Sequence, residues 1–338
     1  MDAPSPDYSH LLSMSGPYGT YEHADLTAAR VEHGYCTDDV ARVLLVVARE
    51  PVPDDEVLNL ARSSLDFLRA SQSEDGTSRN RRSPSGHWFG ESTSDDCWGR
   101  SVWALGTTIA RIFDPDIRAG AFQLFERAVT VRSPHPRAMA FATFGAAEVL
   151  YVDPEHRGAR ELVADAARLL DRPEIAKRWF WPEDRLTYAN AALPEALIVA
   201  GHTLGDGRLL DRGLKQLKWL VDLESPNGFL SVVPVGGRAI DEKVGKFDQQ
   251  PIEVAAMSDA CIRAHEITGD AMWVLALELA VRWFLGNNDA ASPMYDPVTG
   301  GGYDGLTPYG PNRNEGAEST IALLTTLQHA RRFVHVNR

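Results

Sequence analysis

Ser94-Asp-Asp-Cys-Trp-Gly-Arg-Ser-Val-Trp-Ala-Leu-Gly-Thr-Thr-Ile-Ala-Arg111 opens on a hydroxyl and two carboxylates, then continues with small or apolar residues on nearly every side. A helix that is apolar all round must be buried all round, so this stretch predicts an inner stave rather than a surface element. Thr37-Asp38-Asp39, His135-Pro136-Arg137, Tyr188-Ala189-Asn190, Asp248-Gln249-Gln250 and Asn314-Glu315 repeat the arrangement, each before another small, apolar run. The spacing of roughly forty to sixty-five residues is that of a helical-hairpin array.

Buried helices are predicted over 95–112, 136–150, 193–204, 251–267 and 315–330. Between them lie amphipathic stretches over 57–72, 119–131, 159–171, 209–223 and 272–287, with apolar residues at three- and four-residue spacing, as in Leu58, Ala61, Leu65 and Leu68. Strict alternation of half-exposed and buried helices predicts an all-α protein, an (α/α)6 six-hairpin barrel with an outer ring around an inner one. A multihelical bundle or an open solenoid is the alternative. The expected organisation is one domain over 1–338, with 1–30 as a lead-in segment. Long Gly-, Pro- and aromatic-rich connections over 73–93, 179–188, 225–247 and 290–314 follow the outer helices, whereas the opposite connections, such as 51–56 and 205–208, are short. Long loops gathered on one face predict one functional rim. Small β-hairpins over its mouth are expected at Asn227-Gly228-Phe229-Leu230 and Gly300-Gly301-Gly302-Tyr303.

A net charge of −13 disfavours nucleic acid and anionic membrane as partners, because phosphate binding needs clustered cations. Arg79, Arg81 and Arg82 form a small basic cluster that reads as a solvated loop. Cys36, Cys97 and Cys261 lack metal-ligand spacing and read as buried thiols. The opening Met1-Asp2-Ala3-Pro4-Ser5-Pro6 has neither a basic region nor an apolar core, and no run approaches spanning length. The expectation is a soluble, cytoplasmic protein that needs no metal and no cofactor.

Thr37 and Ser94 read as N-caps, followed in each case by two aspartates in the first turn, where the helix dipole favours negative charge. If the helices are parallel staves, Asp38, Asp39, Asp95, Asp96, Glu253, Glu315 and Glu318 meet at one rim. Cleavage of a glycosidic bond needs one protonated and one ionised carboxyl group, and these seven are the catalytic candidates, led by Asp39 and Asp96. Sugar rings offer apolar faces to aromatics and hydroxyl edges to amides, carboxylates and arginine. On that chemistry His33, Tyr35, Trp88, Arg100, Trp181, Tyr188, Asn190, Gln250, Tyr303, Asp304 and Asn314 are substrate-binding candidates, while Trp103 reads as core.

His33-Gly-Tyr-Cys-Thr-Asp-Asp39, Leu186-Thr-Tyr-Ala-Asn-Ala-Ala-Leu-Pro-Glu-Ala196, and Gly301-Gly-Tyr-Asp-Gly305 followed by Asn314-Glu-Gly-Ala-Glu-Ser-Thr320 carry a resemblance. Over nearly its whole length the chain resembles a bacterial group of six-hairpin glycosidase-like proteins, found alone or joined to glycosyltransferases. The resemblance implies the barrel, an oligosaccharide or glycan as ligand and a glycosyltransferase as a possible partner, but it fixes no reaction. No glycine-rich phosphate loop supports sugar-nucleotide chemistry in this chain itself.

Hydrolysis of a neutral oligosaccharide is therefore the leading expectation, with inversion favoured by analogy with helical-barrel glycosidases. A non-catalytic glycan-binding or scaffold module and a sugar epimerase are the competitors. Epimerases favour histidine bases, of which His33, His87 and His135 are near the expected rim. A terpene cyclase or prenyltransferase is disfavoured, since Asp38-Asp39-Val40-Ala41-Arg42 lacks the third aspartate of a diphosphate-binding motif.

Overall fold

The computed structural model describes residues 3–242 and 245–334. Residues 1–2, 243–244 and 335–338, which the expected domain over 1–338 includes, lie outside them. After the short α1 (Ser9–Ser13) come α2 (Thr37–Ala48), α3 (Asp55–Ser71), α4 (Asp96–Arg111), α5 (Pro115–Ala128), α6 (Pro136–Val152), α7 (Arg157–Leu170), α8 (Ala192–Leu204), α9 (Gly207–Glu224), α10 (Pro251–Thr268), α11 (Met272–Phe284) and α12 (Ala317–Val334). The even-numbered helices from α2 to α12 each pack on the next, and α12 returns to α2, closing an inner ring. The odd-numbered helices from α3 to α11 pack outside it. This is the six-hairpin (α/α)6 barrel.

The two rings differ as their residues require. In α4 every residue from Cys97 to Ile109 is buried, and in α6 nearly all from Arg137 to Leu150 are. In α7 only one stripe is covered: Ala159, Leu162, Val163, Ala166, Ala167 and Leu170. Each Leu or Phe so covered contributes roughly 1.5–3 kcal/mol relative to exposure. Small residues let the inner staves approach closely. A Cβ on Gly106 of α4 would run into the Gly145 carbonyl oxygen of α6, and one on Gly99 would run into that of Ala138.

The capping pattern is polarised. Asp54, Asp114, His156 and Asp206 accept backbone N–H bonds at the starts of α3, α5, α7 and α9. At the starts of α2, α4, α6, α8 and α10 no side-chain cap bond forms. Thr37 and Ser94 are therefore not the caps expected of them: Cys36 and Asp95 hold the N-cap positions, and the Thr37 hydroxyl donates instead to the Arg79 carbonyl at 2.6 Å. Inner helices thus present uncapped N–H groups and positive dipole ends at one rim.

Short antiparallel pairs decorate the fold: β1 (Ser15–Gly16) with β2 (Gly19–Thr20), β3 (Ala24–Asp25) with β4 (Ala28–Ala29), β8 (Arg185–Leu186) with β9 (Arg238–Ala239), and β10 (Gly305–Thr307) with β11 (Gly310–Asn312). A three-stranded sheet joins β5 (Tyr35–Cys36), β6 (Arg81–Arg82) and β7 (Trp88–Phe89). Residues 225–228 make a turn rather than the expected hairpin, while Tyr295 and Gly302 form an antiparallel bridge. The three cysteines are free and buried. No described helix is long and apolar enough to cross a membrane.

The basic cluster is only in part the solvated loop expected from sequence: Arg79 and Arg81 are exposed, whereas Arg82 is half-buried. Arg81 pairs with Glu22, and the Arg82 guanidinium lies 4.1 Å from the Tyr18 ring centre and 5.3 Å from that of Trp88. Sheet pairing places both residues against other segments, and their apolar stems and delocalised charge suit aromatic faces.

Candidate functional site

All six inner-helix starts border two adjoining cavities. The larger, about 480 Å³, is lined by Asp38, Asp39, Arg42, Asp96, Arg100, Tyr188, Gln250, Asp304 and Glu318, with Glu22, His23 and Arg81 from outside the helices. Its neighbour, about 450 Å³, shares Asp38, Asp96 and Tyr188 and adds Asn80, Asp95, His135 and Arg137. Such volumes are typical of small-molecule sites.

Charge is arranged unevenly in the larger cavity. Glu22, Asp38, Asp39, Asp96, Asp304 and Glu318 supply six carboxylates against the three guanidinium groups of Arg42, Arg81 and Arg100. Arg42 bonds Asp39 at 2.5 Å and Glu318 at 2.8 Å. The Arg100 Nε lies 3.3 Å from Asp38, and its guanidinium sits 4.3 Å from the Phe141 ring centre.

The two carboxylates on Arg42 are pushed apart. Burial raises Asp39 to about 7; Arg42 opposes this, while Glu318, Glu22 and Asp38 reinforce it. For Glu318 burial also acts upward, but Arg42 and Arg100 outweigh it and hold the group below the usual carboxylate range. Asp39 borders the cavity with a side chain only 4% exposed, whereas the Glu318 side chain is 44% exposed and open to it. Near neutral pH the pair consequently contains a titrating acid beside an ionised carboxylate. Asp96 is raised by burial, opposed by Arg100 and by the adjacent Tyr188 hydroxyl. Tyr188 is itself 44% exposed, with the Arg137 guanidinium 4.9 Å from its ring centre.

Among the sequence-derived candidates, Asp38, Asp39, Asp96, Glu318, Arg100, Tyr188, Gln250 and Asp304 are brought together here. Asp95 lines the neighbouring cavity and pairs with His135 at 3.2 Å. Asp304 is partly spoken for, accepting from the Gly316 N–H and the Ser319 hydroxyl at 2.9 Å each.

Other candidates serve the scaffold. Glu253 is buried and accepts from the backbone of Ala189 and from both the backbone and side-chain amide of Asn190, so Glu253 and Asn190 fasten the loop ahead of α8. Glu315 is buried against His10 and accepts from Thr299 at 2.7 Å. Asn314 accepts from the Leu26 N–H at 3.0 Å. Tyr35 and Trp181 are fully buried, Tyr35 stacked 4.6 Å from Tyr21 and Trp181 6.0 Å from Trp219. Trp88 packs on Phe67, Tyr303 approaches Asp296, and His33 meets His23 edge to face. None of these candidates lines the larger cavity, because the segments that hold them use their rings, amides and carboxylates as packing and tethers against the barrel. Trp103 is core, as expected.

Glu22, His23, Arg42 and Arg81 were missing from the sequence-derived set. Arg42 had a readable signal, lying one turn after Asp38 and Asp39 on the same helix face. For Glu22 and His23, in the supposed lead-in, only the tertiary contacts reveal the role: the Glu22 carbonyl accepts from Ala317 and the Leu26 carbonyl from Glu315, pinning this segment to the start of α12. Glu22, Cys36 and Asp39 hold potential metal donor atoms within 4.8 Å of one another, but Arg81 already engages Glu22 and Arg42 engages Asp39.

Neither the protein-family models nor the curated proteins contain a match to this chain. Solved structures do share its shape. A sugar epimerase from a ruminal bacterium is 15% identical with a TM-score of 0.71, covering 95% of each chain. Cellobiose 2-epimerase from Spirochaeta thermophila is 13% identical with a TM-score of 0.68, over 97% of this chain and 94% of that one. A cellulase of C. cellulolyticum, solved with cellobiose, is 11% identical with a TM-score of 0.61, over 94% and 88%. Ring closure, alternating layers and these likenesses together give the chain the six-hairpin glycosidase-like fold.

Proposed function

We propose that this protein is a carbohydrate-active enzyme that hydrolyses a neutral oligosaccharide in the cavity at the inner-helix N-termini. The observation that carries the reading is the Arg42-bridged pair, in which Asp39 titrates near 7 while Glu318 stays ionised. Two carboxyl groups driven apart by their surroundings divide naturally into a proton donor and a base. Asp39 takes the donor role. Glu318, open to the cavity, takes that of the base that activates water, and Asp96 beside Tyr188 is a second donor at the junction of the cavities. Tyr188 offers an exposed ring to a sugar face, with Gln250 and Arg100 positioned for hydroxyl groups.

Sugar epimerisation is the second reading, favoured by the epimerase structures, whose TM-scores of 0.71 and 0.68 exceed the cellulase's 0.61. A carboxyl group titrating near 7 also suits removal of a proton beside a carbonyl. Incubating the protein with a glycan panel in heavy-oxygen water and, separately, in heavy water distinguishes the two. Hydrolysis places solvent oxygen on the newly freed anomeric carbon and shortens the chain. Epimerisation by proton transfer leaves chain length unchanged and exchanges a carbon-bound hydrogen. Binding without either product identifies a non-catalytic glycan-binding module.

A further inference from the structure

Beneath the rim cavity, ringed by residues of all six inner helices, lies a small chamber of about 40 Å³. It shares Arg42, Arg100, Ile252 and Glu318 with the cavity above, so it is the floor of the same site. Its walls are largely apolar, from Leu45, Phe141, Phe144 and the alanines of α8, α10 and α12. Two donors on its lining residues nevertheless go without a hydrogen-bond partner among the described residues. The Arg100 Nε is buried and stands 3.3 Å from Asp38 without hydrogen-bond geometry; the Trp103 Nε1 is buried and unpartnered. Glu195, 2% exposed, also lines the chamber, and its carboxylate has only the Arg263 Nε, 4.0 Å away, as a charged partner.

Buried donors and acceptors are normally paired, and each orphan costs roughly 1–3 kcal/mol. Two unpartnered donors beside one largely apolar chamber therefore point to an occupant with both polar and apolar character. A single water needs about 10–15 Å³ of such space, so the chamber takes about three heavy atoms. A sugar ring is far too large. A hydroxymethyl group has two heavy atoms, an apolar carbon for the walls and a hydroxyl that both donates and accepts.

We propose that this chamber seats the exocyclic hydroxymethyl group of a hexose unit bound at the rim, making the site selective for hexoses over the corresponding pentoses; this rests on the carbohydrate reading above. The acceptor for its hydroxyl proton is Glu195, and Arg100 and Trp103 are the donors to its oxygen.

Calorimetry with matched pairs tests the inference: glucose against xylose, mannose against lyxose, cellobiose against xylobiose. The hexose member of at least one pair should bind at least tenfold more tightly. Ala256→Val, which fills the chamber from α10, should bring that affinity down to the pentose value while the circular dichroism spectrum is kept. Glu195→Leu, removing the acceptor, should do the same and covers the case in which the filled variant fails to fold. Sugars that bind equally within every pair overturn the inference and leave the carbohydrate reading standing, as does a preference that survives both substitutions. A panel in which no sugar binds removes both.

Discussion

Arg42 donates to Asp39 across one turn of α2 at 2.5 Å, and both side chains are buried. Because the same guanidinium also reaches Glu318, it is the charge that allows two acidic groups to share the cavity. Breaking a buried ion pair from one side leaves an uncompensated charge. Arg42→Met should therefore cost about 3–5 kcal/mol in denaturant unfolding at pH 9, where Asp39 is ionised in the wild type, more than the Asp39→Asn, Arg42→Met double variant. A single-variant loss below about 1 kcal/mol would show that the bridge is not important to the fold.

Asp39→Asn and Glu318→Gln should each lower turnover at least about a hundredfold, the scale of general acid or base catalysis, while sugar binding persists. Since Asp39 must carry its proton to act as donor, the wild-type rate should fall as pH rises through about 7. Residual activity in the Asn variant should lack that limb. Unchanged turnover in both variants would transfer the chemistry to Asp96 or Asp38.

Glu224 provides a stability measurement independent of activity. Burial, reinforced by Glu253, raises it from 4.5 to about 8 against the Val233 N–H bond and Arg238. The folded chain then holds a proton that the unfolded chain releases above pH 4.5. Its contribution is complete below that pH and is lost as pH rises through about 8. Glu224→Gln should unfold at higher denaturant than wild type at pH 9 and show little difference at pH 4. Each tenfold change in proton affinity is worth about 1.4 kcal/mol, so the separation is on the order of a few kcal/mol.

Close approach of α4 and α6 makes a purely steric prediction. A side chain at Gly106 would strike the Gly145 carbonyl, which is backbone and cannot rotate away. Gly106→Val should destabilise by at least the 1–3 kcal/mol typical of overpacking, read as a lower denaturant midpoint. Gly207→Val is the comparison, because a Cβ there meets nothing within 4 Å. Gly205 is equally open, but its φ of 70° would add backbone strain to any substitution. Equal midpoints for the two variants would mean that the staves can move apart.

Chelation should leave activity unchanged. The three donors gathered at Glu22, Cys36 and Asp39 are engaged by Arg81 and Arg42 or, for Cys36, directed at Asn80 at 3.3 Å. Loss of turnover in a chelator, with recovery on adding one divalent cation, would reverse this prediction.

Periodicity alone determined the alternating helices, because an all-apolar run such as 136–150 has no stable place except inside, and a striped one such as 159–171 needs one covered face. It also determined that the polar clusters begin inner staves, which is why Asp38, Asp39, Asp96 and Glu318 could be named from residue order. Only the tertiary structure decided what surrounds them. Closing the ring brings residue 10 onto residue 315 and sets Glu22 and His23 beside α12, a juxtaposition with no trace in local pattern. Loop aromatics had no periodicity to reveal their side, so Tyr35 and Trp181 entered the core while Tyr188 faced the cavity. The same holds for the carboxylates: a helix start predicts a low pKa for Asp39, but burial and its acidic neighbours, assembled from distant segments, push it upward instead.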